Sequence, residues 1–436
     1  MNHTFLGHLM EARARQSGPV KIAVMGAGWY GSGTIRDIAK WPGMETRVIF
    51  EKNTEKAGDL FVSTGVPRED VVFTEDLQEL KEALENNKYI VSSNIDLIGN
   101  LSGMDLFFDA TGNVLAGTKA ALACIANKLH FITASAELDV TIGYTLCQRA
   151  KDAGIIYSNA DGDQPGCLAR LYDEVKMFGL KPVAALNGKG FLRCHQTPDD
   201  VREYCVGDLN ANKITSFADG TKQGIELAVV SNALDFEPAR RGMYGISTRA
   251  KTLLADIMKT VNKEGFVDYY FGNKEEGLGM TVCIIARCDD EHLKRDLKYL
   301  SMGEGPYYKF YREYHLCYFE TARGMAEAIL LNKPLIQPNC LKADVITAAK
   351  KDLKKGESLG HIGGYNYYGL IDTYETMING NFLPVGLAEY AVLKDQAAID
   401  TPITYDMVTF PEDNIVLQLR KEQDEVFKIN MLSSEK

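Results

Sequence analysis

The stretch Val20-Lys21-Ile22-Ala23-Val24-Met25-Gly26-Ala27-Gly28-Trp29-Tyr30-Gly31 decides the fold. Val20 to Met25 is mostly apolar and reads as a buried strand. Gly26, Gly28 and Gly31 then follow the spacing G-x-G-x-x-G, and Ser32 to Lys40 reads as a helix. A strand, this glycine spacing and a helix, in that order, form the context in which the pattern holds a dinucleotide. The first glycine permits a tight turn, the second admits a pyrophosphate, and the third lets helix and strand pack closely. The phosphate would sit on free N–H groups at the helix start, at the positive end of the dipole. Gly26, Gly28, Trp29, Tyr30 and Gly31 are therefore cofactor-binding candidates. The rival reading is a glycine-rich turn that binds nothing.

Working outward, Thr46 to Phe50 reads as a second strand. It ends beside Glu51, 20 residues beyond Gly31. A carboxylate there would accept bonds from both adenosine-ribose hydroxyls of NAD and repel the 2′-phosphate of NADP. Lys52 and Lys56 oppose that preference. The expected cofactor is NAD or NADP, with NAD favoured. Leu106 to Phe108 is a third strand, followed by Asp109-Ala110-Thr111-Gly112, where Thr111 and Gly112 would flank the nicotinamide side. Val114 to Asn127 reads as a helix, Phe131 to Ala134 as a strand, Val140 to Ala153 as a helix and Ile155 to Ser158 as a strand. This alternation predicts an α/β fold with a doubly wound parallel sheet.

After Pro182 the pattern changes. Short β-like runs appear at Met280 to Ala286 and Tyr307 to Tyr311, with helical stretches at Ser247 to Val261 and Thr321 to Leu331. The composition shifts again at Pro334 to Pro338. The last hundred residues read as short strands between glycine-rich turns. Three domains are expected: 1–165 for the dinucleotide with an N-terminal helix, 166–335 as an α+β catalytic domain, and 336–436 as a small β-rich domain.

Composition limits the function classes. Hydrophobic residues make up 45% and charged residues 25%, as in a globular chain and unlike a disordered one. Fifty-nine acids against 48 bases leave a net charge of −11, which argues against nucleic acid as a partner. The nine cysteines form no Cys-x-x-Cys pair, so reduced thiols are expected rather than a zinc site or disulfide framework. No run approaches the roughly 20 apolar residues that span a bilayer. Glu11, Arg13 and Arg15 break any signal-peptide core, so a cytoplasmic location without membrane contact is expected.

Three polar loops follow predicted strands, where open α/β sheets bind ligands. They are Ser135 to Asp139, Asn159 to Pro165 and Asn187 to Gly190. Asp139 reads equally as the N-cap of a helix from Val140. Asp161 and Asp163 read equally as a plain turn. Lys189 lies between two glycines and could polarise or protonate a carbonyl oxygen. An exposed loop lysine is its rival reading. Arg240, Arg312 and His315 are candidates to hold a substrate phosphate or carboxylate. The rivals are a solvated arginine pair at Arg240-Arg241 and a packed histidine beside aromatics.

Several of these stretches together resemble a known family. They are the Gly26 to Gly31 fingerprint, Asp109-Ala-Thr-Gly, Glu137-x-Asp139-Val-Thr-Ile-Gly143, Gly162-Asp163-x-Pro165, Gly188-Lys189-Gly190 and Thr197-Pro-Asp-Asp200. The chain is similar to homoserine-dehydrogenase-like oxidoreductases. Within them it resembles the deoxyxylulose-phosphate reductoisomerase-like branch, through Gly305-Pro306-Tyr307 and Arg312-x-Tyr314-His315 as well. Ala349 to Glu357 and Leu383 to Leu387 resemble a SAF domain, a small β-clip. The resemblance implies a Rossmann domain, a catalytic and oligomerising α+β domain and a SAF appendage. It also implies NAD(P), a divalent metal such as magnesium, and a homo-oligomer. By motif, Lys189 takes the active-site lysine role, with Glu137 and Asp163 as its acidic partners. The expected activity is hydride transfer between nicotinamide and a carbonyl or alcohol carbon of a small phosphorylated or carboxylated substrate. The alternatives are a reductoisomerase making methylerythritol phosphate, a homoserine-dehydrogenase-type reductase, and a non-catalytic dinucleotide- or saccharide-binding protein. The chain departs from the reductoisomerase pattern at Gly166, Cys167, Phe191 and Leu192, and at Glu51.

Overall fold

The computed structural model describes residues 5–205, 210–272 and 277–434. The chain forms two compact units, Met1–Asp163 with Leu316–Gln337, and Gln164–His315 with Pro338–Lys436.

The first unit is built on seven strands: β1 (Val20–Met25), β2 (Met44–Phe50), β3 (Val71–Phe73), β4 (Tyr89–Ser92), β5 (Leu106–Asp109), β6 (His130–Thr133) and β7 (Tyr157–Asn159). They lie in the order β3-β4-β2-β1-β5-β6-β7, every neighbour parallel. Parallel strands need crossovers, and helices such as Trp29–Ile38 and Val114–Ala126 supply them. Val24, Ile49, Phe108 and Ile132 are buried beneath these layers. This is a Rossmann-like doubly wound sheet. The strand order reverses on either side of β1, so a crevice opens beyond the ends of β1 and β5. The segment Leu316–Gln337 returns to this unit. Its helix Tyr318–Leu331 packs on Trp29–Ile38, with Tyr30 Oη 2.9 Å from Thr321 Oγ1 and the Trp29 and Tyr318 rings 5.1 Å apart.

The second unit carries β8 (Lys181–Lys189), β9 (Glu237–Pro238), β10 (Ile246–Thr248), β11 (Phe266–Gly272), β12 (Val282–Arg287) and β13 (Tyr307–Arg312). The sheet order is β10-β11-β8-β12-β13, with β9 beside β11. β12 runs antiparallel to both β8 and β13. The helix Leu253–Val261 buries Leu253, Ile257 and Val261 in a cluster with Phe266, Tyr270, Cys283 and Ile285. Residues 338–434 add an antiparallel pair, β14 (Ala343–Ala349) and β15 (Tyr367–Thr373), and the two-residue strands β16 (Val392–Leu393) and β17 (Val408–Thr409). β14 and β15 pack against the helix Thr221–Leu234 of the same unit.

Four local expectations change. Asn187 and Lys189 are strand rather than loop, because β8 continues to Lys189 between β11 and β12. Gly188 is there because its backbone lies against Leu278; a Cβ would stand 2.0 Å from Leu278 O. Asp139 is not an N-cap. Ser135 Oγ accepts from Leu138 N at 3.2 Å, and the helical run passes through Asp139 in a π-turn, Asp139–Gly143. Ser247 to Val261 is a strand end, a turn and then a helix from Leu253. The last residues are not short strands but a 20-residue helix, Ile415–Ser434. Its inward face mixes Val416 and Leu419 with Arg420 and Gln423, all buried, which disguises its periodicity. Among the described residues, no helix is long and apolar enough to cross a membrane. All nine cysteines lie within the described residues, and none is in a disulfide.

Candidate functional site

On the first unit the fingerprint takes the predicted shape. Gly26 has φ +96°, which a side chain would strain. A Cβ on Gly31 would stand 2.0 Å from Gly26 O, so only glycine lets the helix start so close to the turn. Gly28 caps the helix without a side-chain bond, which leaves the cradle of helix-start N–H groups fitted to a pyrophosphate. Glu51 stands beside it. Its Oε2 accepts from Ala27 N at 2.7 Å and its Oε1 from Asn53 N at 3.1 Å. Asp109, wholly buried at the end of β5, accepts from Thr111 N and Thr111 Oγ1 through Oδ1, at 3.0 and 2.7 Å. Its Oδ2 accepts from Thr133 Oγ1 at 2.9 Å. These bonds shape the Thr111-Gly112 turn, where Gly112 has φ +62°.

Glu137 and Asp163 also belong to the first unit. Glu137 is buried in the turn Ala136–Leu138, and Asp163 is half-buried at the unit's edge. Between them in sequence lies Asp139, buried, with Oδ2 accepting from Tyr157 Oη at 3.1 Å. Burial pushes its carboxyl up to about 7, and bonds from Tyr157 and Asn159 offset this only in part. The unfolded carboxyl titrates near 3.8, so the folded form binds the extra proton between about pH 4 and 7. The stability this group contributes is complete below pH 4. It is lost as pH rises towards 7, at up to about 1.4 kcal/mol per pH unit. Asp139→Asn should therefore flatten the fall in melting temperature between pH 4 and 7. Parallel melting profiles for the two proteins would refute this.

The remaining candidates lie in the second unit. Lys189 ends β8, half-buried, with Nζ 5.9 Å from the centre of the Phe217 ring. Three residues that the sequence reading did not single out surround it. Gln164 is the first residue of the helix Gln164–Met177; with its side-chain amide turned to the orientation that suits its neighbours, its oxygen lies 3.0 Å from Lys189 Nζ and its nitrogen 2.8 Å from Glu226 Oε2. Asn187, two residues before Lys189 in β8, lies against the same Gln164 amide. Glu226 comes from the helix Thr221–Leu234, in which every residue from Thr221 to Ala233 is buried. The only signal for Glu226 in the sequence was an acid inside an apolar helical run. Gln164 and Asn187 stood in the polar stretches already marked.

Arg312 ends β13, and the register through Val282 sets it level with Asn187. Its guanidinium lies 3.5 Å from Cys167 Sγ and 4.4 Å from the centre of the Tyr314 ring. Lys189 and Arg312 thus stand at one end of the sheet, beside the start of the Gln164–Met177 helix. His315 Nδ1 is 3.0 Å from Met280 O. Arg240 is turned to its own loop: Nε donates to Met243 O at 2.9 Å and the guanidinium covers the Tyr244 ring. The structure brings Lys189 and Arg312 to one sheet end, and spends Arg240 on its loop.

Residues 162–321 match the family described as the catalytic domain of the oxidoreductase DRL. No curated protein matches the chain in sequence. Among solved structures, an oxidoreductase from Agrobacterium radiobacter in complex with NAD+, L-tartaric acid and magnesium is 12% identical, with a TM-score of 0.28 over 39% of this chain and 45% of that one. The chain thus spans less than half the length of that protein. The myo-inositol 2-dehydrogenase from Lactobacillus plantarum is 10% identical, with a TM-score of 0.39 over 72% and 91%. The 1-deoxy-D-xylulose 5-phosphate reductoisomerase from Zymomonas mobilis, in complex with NADPH, is 15% identical, with a TM-score of 0.40 over 71% and 81%. These likenesses are too distant to carry a substrate. The match to an oxidoreductase catalytic domain, joined to a dinucleotide fingerprint on a parallel sheet, supports an NAD(P)-dependent oxidoreductase.

Proposed function

We propose that this protein transfers a hydride between a nicotinamide dinucleotide and the carbonyl or alcohol carbon of a small anionic substrate, phosphorylated or carboxylated. The observation that carries the reading is the cationic end of the second sheet. There Lys189 faces the Gln164 amide, two residues beyond Asn187, which is level with Arg312. Lys189 gives its proton to the substrate oxygen as hydride reaches the carbon, or removes it in the reverse direction. Arg312 and His315 hold the anionic end; Arg240, engaged by its own loop, is the weaker candidate. By motif, Glu137 and Asp163 are the acidic candidates of the same reading. A divalent metal such as magnesium, a homo-oligomer and a cytoplasmic location stay part of the reading. The cofactor supplies the hydride, and Gly26 to Gly31, Glu51, Thr111 and Gly112 bind and orient it.

The test is NADH and NADPH oxidation against a panel of phosphorylated and carboxylated aldehydes and ketones. Turnover supports the reading. Cofactor binding with no turnover across the panel would favour a non-catalytic binding protein. A rearranged carbon skeleton in the product would make the enzyme a reductoisomerase.

Glu51 sets the cofactor prediction. A carboxylate already accepting from the phosphate-binding turn is in place to accept from ribose hydroxyls, and it repels a 2′-phosphate. The Kd for NADH should lie below that for NADPH, and Glu51→Ser should narrow the ratio. A wild-type protein that prefers NADPH tenfold would show that Lys52 and Lys56 dominate instead.

A further inference from the structure

A carboxylate inside a fully buried helix is costly unless donors satisfy it. Glu226 is 3% exposed in such a helix, and a nitrogen of the Gln164 amide faces it at 2.8 Å. The oxygen of that amide faces Lys189 Nζ at 3.0 Å. Only one orientation of the amide suits both neighbours. Reversed, it would set oxygen against carboxylate and N–H against ammonium.

We propose that Glu226 is a positioning residue for Lys189, acting through the side-chain amide of Gln164. The inference rests on Lys189 being the proton donor, and it adds what holds that donor in place. Glu226 fixes the direction of the amide, and the amide oxygen holds the ammonium. A lysine side chain loses roughly 2 kcal/mol of rotamer freedom when ordered, so a fixed acceptor at the strand end matters to where its proton is delivered.

The test reads the lysine directly and needs no substrate. The full-length protein is labelled with acetic anhydride across a pH series, and the labelling of each lysine is followed by peptide mass spectrometry. Glu226→Gln keeps the shape and removes the charge. It should release the Lys189 amine from its fixed acceptor and speed its labelling at pH 8 about tenfold, as expected for loss of a charge-assisted hydrogen bond, with Lys176 and Lys213 unchanged as references. The charge-exchanged variant Gln164→Glu/Glu226→Gln restores an anion beside Lys189 and should return its labelling to the wild-type rate or below. Unchanged labelling in Glu226→Gln would overturn the proposal. So would an equal rise at all lysines in both variants, which would give Glu226 a purely structural role. Lys189→Met with full turnover would sink the proton-donor reading instead, without touching the labelling result.

Discussion

Lys189→Met should lower kcat by about 10²- to 10³-fold, the usual loss when one proton donor or oxyanion partner is removed. The Kd for the dinucleotide should stay within a few-fold of wild type, because the fingerprint, Glu51 and the Thr111-Gly112 turn all lie in the first unit and Lys189 in the second. Methionine keeps the length and the apolar stem of lysine, so β8 should keep its register with β11 and β12. The loss should therefore fall on the chemical step. KM should move less than kcat, because Arg312 and His315 still hold the anionic end. Stopped-flow hydride transfer and equilibrium cofactor fluorescence separate the two. Turnover within a few-fold of wild type would remove Lys189 from the mechanism.

Ending the chain after Gln337 should leave cofactor binding nearly intact and abolish turnover. The first unit keeps all its segments, because Leu316–Gln337 is its last contribution. The second unit loses β14 and β15, which cover the buried helix Thr221–Leu234. Asn232 Oδ1 would lose Lys342 N and Ala343 N, at 2.8 and 2.9 Å. Lys350, 3% exposed, donates at 2.8 Å each to Gln196 O, Asp219 Oδ2 and Gly364 O. Without it, Asp219 would be a buried carboxylate lacking its cation. Breaking such a pair from one side typically costs about 3–5 kcal/mol, a large share of a domain's stability. Calorimetry should show the transition of the second unit gone, with NADH fluorescence titration close to the full-length curve. A truncated protein with full kcat/KM would show that residues 338–436 support neither the fold nor the site.

The sequence by itself determined the dinucleotide turn of the first unit and five of its seven strands, missing β3 and β4. Val20–Met25 is buried on both faces of a parallel sheet and so reads as an unbroken apolar run, and its strand ends were read to the residue. The glycines at 26, 28 and 31 are a local requirement of one turn, so their spacing carries the meaning without tertiary help. Glu51 was also readable, since one strand and one helix fix its distance from the turn. What only the tertiary structure decided are features in which a residue's meaning comes from partners far along the chain. Gly188 resembles a loop residue until Leu278 is seen against its backbone. Asp139 resembles a cap until Tyr157 is seen beside it. The Ile415–Ser434 helix has no clean apolar stripe, because Arg420 is buried against Asp344 and Asp424, at 2.5 and 2.7 Å. Its burial depends on charge pairing that no periodicity encodes. The same holds for Lys189. Motif spacing marked it, but Gln164 and Glu226 meet it from 25 residues before and 37 after. Long-range hydrogen bonds of this kind leave no local pattern, because their geometry exists only once the sheet and its helices are assembled.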